Sequence, residues 1–452
     1  MVMNTLNVEL PEGFKMTELG PLPKEWEVVR VGDVFEFSRK PRNLQVSKDD
    51  LIPFIPMESI SEESQSIKSW QQRKYSEISS GSFVFKNDII IAKITPSFEN
   101  GKQAILDNLP MDFGYATTEI WALHPKDKQA ITQHLYNYIK LHPIRISLAR
   151  KMEGSTGRKR LYRHVLENLL IPLPPLSEQQ KIAAVLSSIQ EAKEKTEAVI
   201  SAAKGLKKSM MKYLFTYGPV PVTDAENVPL KETEIGIVPE EWEVIGIKEV
   251  IDLRRGVSWR KAEANKEGIG IPVIGIPNIK EDGSIDFANT YFLNKNVKKE
   301  KLLQEGDILF VGSSGSIRHV GRNLLIRELP ENTFTYASFT FLGRVKQGKA
   351  ISKFIYYLLN SSHVNFEKYA RRASDGKYNF QLTQFKNEQK IPLPPLSEQQ
   401  KIASILSAID EKIEAEESKK QALEDLFRSM LHNLMTAKIR VNNLKIDIDE
   451  EL

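Results

Sequence analysis

Between Lys140 and His164 the chain places eight cationic side chains (Lys140, Arg145, Arg150, Lys151, Arg158, Lys159, Arg160 and Arg163) against one acid, Glu153. Within that stretch the loop GSTGRKR sets backbone N–H groups, a serine, a threonine and three cations in seven residues. Phosphate oxygens accept from amides and hydroxyls as well as from point charges, so such a loop suits a nucleic-acid backbone. A second, thinner cluster surrounds ASDGK, with Arg371, Arg372 and Lys377. Two more clusters follow the first predicted strand of each half of the chain: Arg39, Lys40 and Arg42, then Arg254, Arg255, Arg260 and Lys261. Arginine in such loops could also read guanine edges in a major groove. A single charge run is usually a solvated face. Recurrence at equivalent places in both halves argues against that reading here.

Catalytic chemistry is harder to place. The chain has no cysteine, which excludes disulfides, thiol catalysis, Cys-ligated zinc and iron–sulfur clusters. Its histidines are scattered: His134, His142 and His164 are spaced too widely for a helical metal pair and read as core or surface side chains. The only Pro-Pro pairs sit in LPPL and are followed by leucine, so the Asn/Asp-Pro-Pro-aromatic motif of an amino-methyltransferase is absent. GRVKQGKA (Gly343 to Ala350) has the spacing GxxxxGK, but Ala350 replaces the hydroxyl that would hold Mg²⁺, and a plain strand-to-helix turn explains it better. No paired carboxylates and no Ser/His/Asp set stand out. The expectation is a chain without catalytic residues and without a metal site.

The elements that carry the basic loops are duplicated. IPLPPLSEQQKIA at Ile171 to Ala183 recurs letter for letter at Ile391 to Ala403, and TELGPLPKEWEVV (Thr17 to Val29) resembles TEIGIVPEEWEVI (Thr233 to Ile245). Asp88 in KNDIIIAK falls opposite Asp307 in EGDILFVG, and a Ser-x-Gly loop precedes each Pro-rich segment. A period near 220 residues means two whole domains rather than a solenoid. After each Pro-rich segment a long helix is predicted. Ser177 with Gln180, and Ser397 with Gln400, have the spacing of a capping box. Ile182, Val185, Ile189, Ala192, Thr196, Val199, Ala203, Leu206, Met210 and Tyr213 then alternate steps of three and four, the spacing of a coiled-coil seam. Forty such residues span about 60 Å. In the second helix Ile402, Ile405 or Leu406, Ile409, Leu423, Leu426, Met430 and Leu434 follow the same spacing around a polar middle.

These boundaries divide the chain into an N-terminal segment (1–20), a first mixed α and β domain (21–175), a helix (176–217), a linker (218–236), a second domain (237–395), a second helix (396–437) and an acidic tail (438–452). Net charge is only +4 in 452 residues, so contact with nucleic acid must come from local patches. No apolar run reaches the ~18 residues of a membrane span and the first residues lack the pattern of a signal peptide, which leads to the expectation of a cytoplasmic protein.

With these features the chain resembles the specificity subunits of type I restriction-modification systems. The resemblance rests on the doubled IPLPPLSEQQKIA with its following helix, the doubled TE(L/I)G…P.EWEV openers and ITPSFENGK (Ile94 to Lys102), and it covers almost the whole chain. It implies an α+β fold with two mixed α/β target-recognition domains. Two long helices, packed as an antiparallel coiled coil, would separate them in a head-to-tail repeat with pseudo-twofold symmetry. It implies a prokaryotic, non-catalytic reader of double-stranded DNA whose two domains each recognise half of an asymmetric bipartite site, the helices setting the spacing. The expected partners are two methyltransferase subunits and two restriction subunits. S-adenosylmethionine, ATP and Mg²⁺ would sit on those partners and none on this chain. The helices and the Pro-Leu-Ser-Glu-Gln-Gln segments would face the methyltransferase subunits. No base-reading residue can be transferred by motif; the basic clusters are read from this sequence alone. The competing class is a coiled-coil scaffold with two β-rich modules that bind proteins or glycans.

Overall fold

The computed structural model describes residues 10–155, 157–280, 284–330 and 333–442. Thr156 of the GSTGRKR loop and the acidic stretch Asp447 to Glu451 lie outside them. The chain forms two compact units, and the division falls inside the two long helices: residues 1–199 with 416–452, and residues 200–415. Each unit thus holds one domain, the first part of the helix that follows it and the last part of the other helix.

In the first unit two four-stranded sheets form the core. One orders Phe35–Phe37, Ile120–Pro125, Ile89–Ala92 and Gln103–Ile105, all antiparallel; the other orders Gln71–Lys74, Leu51–Ile55, Phe113–Ala116 and Ser82–Phe85, with Leu51–Ile55 and Phe113–Ala116 parallel. Ile89–Ala92 is buried throughout. Successive side chains of a strand face opposite ways. Accordingly Ile89 and Ile91 pack with Leu135, Ile139 and Ile182 beneath the helices, while Ile90 joins Val84, Ala116 and Ala122 between the sheets. That is why the run reads as continuously apolar.

The second unit repeats the plan. Ile251–Arg255, Thr340–Val345, Ile308–Val311 and Asn323–Leu325 form one sheet, and Ile271–Ile274 pairs in parallel with Thr335–Tyr336 in the other. Ile308 and Phe310 face one core, Leu309 and Val311 the other. The duplication seen in the sequence is therefore a duplication of topology. The predicted helices near Gln129 to Leu141 and Ile351 to Asn360 are Thr132–Lys140 and Ser352–Leu359. The first unit adds His142–Arg150, a helix inside the basic run that charge had masked. The segment 218–236, read as a linker, includes strand Leu230–Thr233, which pairs with Gly236–Pro239.

The doubled motif is a latch between each domain and its helix. Ile171–Leu173 pairs with Glu27–Val29, and Ile391–Leu393 with Glu243–Ile245. Trp26 donates its indole N–H to Glu178 at 2.9 Å, and Trp242 does so to Glu398 at 3.0 Å. Gln179 donates to Pro174 O and accepts from Ile131 N–H, as Gln399 does with Pro394 O and Ile351 N–H. Glu178 and Gln179 are buried, so these two letters of the repeat hold the domain, while Pro175 and Ser177 are exposed.

The long helices are Leu176–Tyr217 and Leu396–Met435. Ser177 lies inside the first turn, and Pro175 O accepts from the N–H groups of Glu178 and Gln179; a proline carbonyl, not the Ser177–Gln180 box, begins the helix, and Pro395 does the same for the second helix in place of the Ser397–Gln400 box. The predicted seam also shifts. Ile182 and Thr196 are buried, but Val199 and Leu206 are exposed while Leu186 and Ile200 are buried. In the second helix Leu406 and Phe427 are buried and Leu426 is exposed. Where apolar residues stand side by side, spacing alone does not say which faces inward.

Candidate nucleic-acid interface

In the first unit the loops at one end of the first-named sheet gather the basic residues. Ile89–Ala92 ends there and Ile120–Pro125 begins there, as the register of Ile120 with Ala92 requires, and Phe35–Phe37, which stops level with Leu123, runs towards it. From that end emerge Ser38 to Arg42, the ITPSFENGK turn, and a hairpin of Glu153–Ser155 with Arg158–Arg160. The hairpin docks on the turn through Thr95 N–H to Lys159 O (3.0 Å), and an Ile94–Arg160 bridge adjoins it. Every described residue of the two hairpin strands is exposed. Gly154 has φ +138°, and a Cβ there would lie 2.4 Å from Arg158 O, so the tight hairpin needs glycine.

Two sequence clusters thus follow strands of one sheet: Arg39, Lys40 and Arg42 after Phe35–Phe37, and Arg158, Lys159 and Arg160 in the hairpin docked on the turn after Ile89–Ala92. Arg39, Arg42, Arg158 and Lys159 are exposed, and their side chains make no hydrogen bond or ion pair among the described residues. Lys40 meets Tyr75 Oη. Arg160 is paired with Glu119 at 2.7 Å. Charge reading missed Lys93, which lies buried with its ammonium 4.0 Å from the Trp121 ring centre; desolvation holds its pKa below the usual lysine value. Its signal was a lysine at the end of the buried strand that opens the turn.

In the second unit the Ala370–Arg372 strand pairs with Tyr378–Phe380, which continues onto Ser313–Ser314 at the corresponding sheet end. Arg372 and Lys377 are exposed, and the Arg372 side chain is unpaired among the described residues. Arg371 is exposed but donates to the carbonyls of Lys368 and Ala370. Arg255 projects over Phe341. Arg260 and Lys261 are exposed on the loop beyond. Arg254 differs: its guanidinium is held by Asp252 at 2.9 Å and by Glu300 O at 3.0 Å. Asp252 and Arg254 are two apart on one strand and so share a face.

The repeated aspartates are structural. Asp88 accepts from Phe85 N–H at 2.8 Å and Asp307 from Gln304 N–H at 2.8 Å, closing the turn before each central strand. Opposite Asp307 stands Arg344, donating at 2.7 and 2.6 Å; opposite Asp88 stands His124, 3.5 Å away and bridged through Ser38. The hydrogen bonding of Asp88, aided by Glu36, raises the His124 pKa against desolvation. His134 is fully buried, donates to Pro172 O at 2.6 Å, and burial lowers its pKa to about 4. Among the described residues no group of three or more His, Asp or Glu is placed to hold a metal ion, and no helix is long and apolar enough to cross a membrane.

Comparison with known proteins gives one consistent result. The family described as "Type I restriction modification DNA specificity domain" matches residues 23–202 and again 239–425. The MjaVIII specificity subunit of Methanocaldococcus jannaschii is 28% identical over 443 residues, covering 96% of this chain and 97% of its own. The EcoAI specificity subunit of Escherichia coli is 36% identical over 175 residues, 38% of this chain and 29% of its own. Among solved structures, the type I restriction-modification S subunit from M. genitalium aligns with TM-score 0.57 at 15% identity, over 90% of this chain and 96% of that one. A chain from a structure of type I R-M complex assembly and conformational transition aligns with TM-score 0.51 at 19% identity, over 92% and 99%. At these identities the structural likeness speaks for the fold.

Proposed function

The chain belongs to the family of type I restriction-modification specificity subunits, and from that membership we propose that it is the non-catalytic reader of a bipartite, asymmetric double-stranded DNA site. The observation that carries this reading is the duplicated sheet end: each unit presents an exposed basic hairpin there. In the first unit Arg39, Arg42, Arg158 and Lys159 are free to take phosphates, and in the second Arg372 and Lys377, joined by Arg255, Arg260 and Lys261. Lys40, Arg160 and Arg371 border the surface with partners of their own. Arg254 supports the fold of its domain and contributes field rather than contact.

The long helices then act as the spacer, packed as an antiparallel coiled coil. Ion pairs support the direction: Lys193 with Glu424 and Glu197 with Lys420 in the first unit, Lys207 with Asp410 in the second. Fourteen residues on along the first helix, from 193 to 207, correspond to fourteen back along the second, from 424 to 410. Leu206 and Leu426, exposed at matching places of the repeat, are the positions of the helices we assign to a methyltransferase partner. Two such partners would carry S-adenosylmethionine, and two restriction subunits ATP and Mg²⁺; the chain itself would need no cofactor.

The test is to co-express the chain with its candidate methyltransferase subunit and sequence the host DNA by a modification-sensitive method. A single split motif that disappears when this chain is omitted is the expected result. A soluble complex that methylates no split motif would count against the reading.

A further inference from the structure

We propose that Phe339 and Asn379 are sequence-reading residues of the second unit, the Asn379 amide pairing with an adenine edge and the Phe339 ring packing on the methyl of a thymine beside it in the major groove. The inference rests on the DNA-reading function proposed above and names two of its contacts. Phe339 lies in the turn that joins Thr335–Tyr336 to Thr340–Val345, closed by the Thr340 N–H on Ala337 O at 2.8 Å. Its side chain is 60% exposed. A single apolar side chain in water is ordinary on a protein surface. This one stands at the sheet end that carries the basic hairpin, and the first unit holds a different pair at the same place.

Backbone hydrogen bonds identify the matching positions. The Gly312 N–H donates to Phe339 O at 2.8 Å, and the Lys93 N–H to Glu119 O at 3.0 Å. The Phe380 N–H donates to Gly312 O at 2.9 Å, and the Leu161 N–H to Lys93 O at 2.8 Å. Phe339 therefore stands where Glu119 does, and Asn379 where Arg160 does; the pairing of Ser313 with Asn379 and of Ile94 with Arg160 repeats the equivalence. In the first unit the two side chains meet in an ion pair at 2.7 Å. In the second unit neither has such a partner: the Phe339 ring packs on no other ring and the half-buried Asn379 amide makes no hydrogen bond among the described residues.

The exchange changes what this place can offer to DNA. Phe380 is buried, so its strand neighbour Asn379 faces the other way, across from Arg371 in the hairpin. Arg372 and Lys377 of the same hairpin carry the charge that suits phosphates, whereas Asn379 and Phe339 are uncharged and suit base edges. A primary amide donates to adenine N7 and accepts from adenine N6, and the thymine methyl is the apolar group that a base pair presents in the major groove. The turn is also tightly held. A Cβ on Gly256 would lie 2.0 Å from Ala337 O, and one on Gly312 would lie 2.5 Å from Phe339 O, so neighbouring chain closes against both ends of it. The ring is thus presented on a fixed backbone, as a reading contact needs.

The test co-expresses the unaltered chain, Phe339→Ala and Asn379→Ala, each with the methyltransferase subunit, and sequences the host DNA by a modification-sensitive method. Both variants should lose discrimination at A·T positions of one half-sequence, the same half in each, and keep the other half. Duplexes carrying the unaltered motif, with uracil in place of each thymine in turn, then measure the methyl contact by fluorescence anisotropy on the complex. One such replacement should weaken binding by the unaltered chain about fourfold, the scale of one buried methyl group, and should leave Phe339→Ala unaffected. A split motif kept intact by both variants would overturn the inference while the DNA-reading function stands. Equal binding of all thymine and uracil duplexes by the unaltered chain, a result that needs no variant, would also overturn it; a loss of affinity in Phe339→Ala would then make the ring a wedge between base steps. If the unaltered chain methylates no split motif, the DNA-reading function falls and the inference falls with it.

Discussion

The indole N–H of Trp26 ends on Glu178 Oε2 at 2.9 Å, and the same carboxylate takes the guanidinium of Arg440 at 2.7 and 2.9 Å. One buried acid thus joins the residue before the Glu27–Arg30 strand, the first turn of the long helix and the segment after the second helix. Glu398 receives Trp242 in the same way, without an arginine among the described residues.

Replacing Glu178 with alanine therefore strands the Trp26 indole and leaves the Arg440 guanidinium with Glu25 alone, whereas Glu398→Ala strands one neutral donor. The expected cost is about 2–4 kcal/mol for the first and about 1–2 kcal/mol for the second. Denaturant unfolding of both variants measures the difference, and equal losses would show that Arg440 adds nothing to the latch.

The two buried aspartates separate the units by pH. Both ring nitrogens of His124 face acceptors when it is protonated, Ser38 Oγ with Asp88 behind it and Glu36, and the Phe85 ring packs on its face. Its folded pKa is raised, chiefly by Asp88, so this contribution to stability is fully present below the unfolded histidine value of about 6.5 and is lost as pH rises through the folded pKa. Arg344 opposite Asp307 keeps its charge throughout that range. His124→Arg should flatten the pH dependence of unfolding above pH ~6.5, measured against the unaltered chain. An unchanged slope would remove His124 as its source.

Salt dependence separates phosphate contacts from other roles. If Arg158 and Lys159 each neutralise one phosphate, replacing both with alanine should lower affinity for every sequence and reduce the slope of log K against log salt by about 1.8. A changed recognition motif would instead make them base readers. Arg254→Ala should act mainly on folding, because it leaves Asp252 unpaired in the strand. Fluorescence anisotropy at several salt concentrations, with a thermal melt of each variant, distinguishes the two outcomes.

The parts of this molecule that sequence could and could not disclose differ by the range of the interactions involved. Doubling of Trp26, Asp88 and Glu178 was visible because each copy repeats the same local context, and the strand around Ile90 announced itself by its unbroken apolar run. The inward face of the helices was not, since Val199 and Ile200, or Leu426 and Phe427, are equally apolar neighbours. Nor could charge counting separate Arg158, which has no side-chain partner among the described residues, from Arg254, whose partner Asp252 stands two residues earlier on the same strand.

The spacer reading makes a geometric prediction. Four residues inserted into each long helix, after Val199 and after Ala415, lengthen the rod by about 6 Å, between one and two base-pair steps of about 3.4 Å. The insertions add about one turn to both helices, so the pairing of Lys193 with Glu424 and of Lys207 with Asp410 is kept on either side. Each domain is untouched and should still read its own half-site. The methylated motif of the altered chain should therefore keep both half-sequences and gain spacer length. Modification-sensitive sequencing of host DNA reads this directly. Methylation of the original motif at its original spacing by the lengthened chain would mean that the helices do not measure the distance.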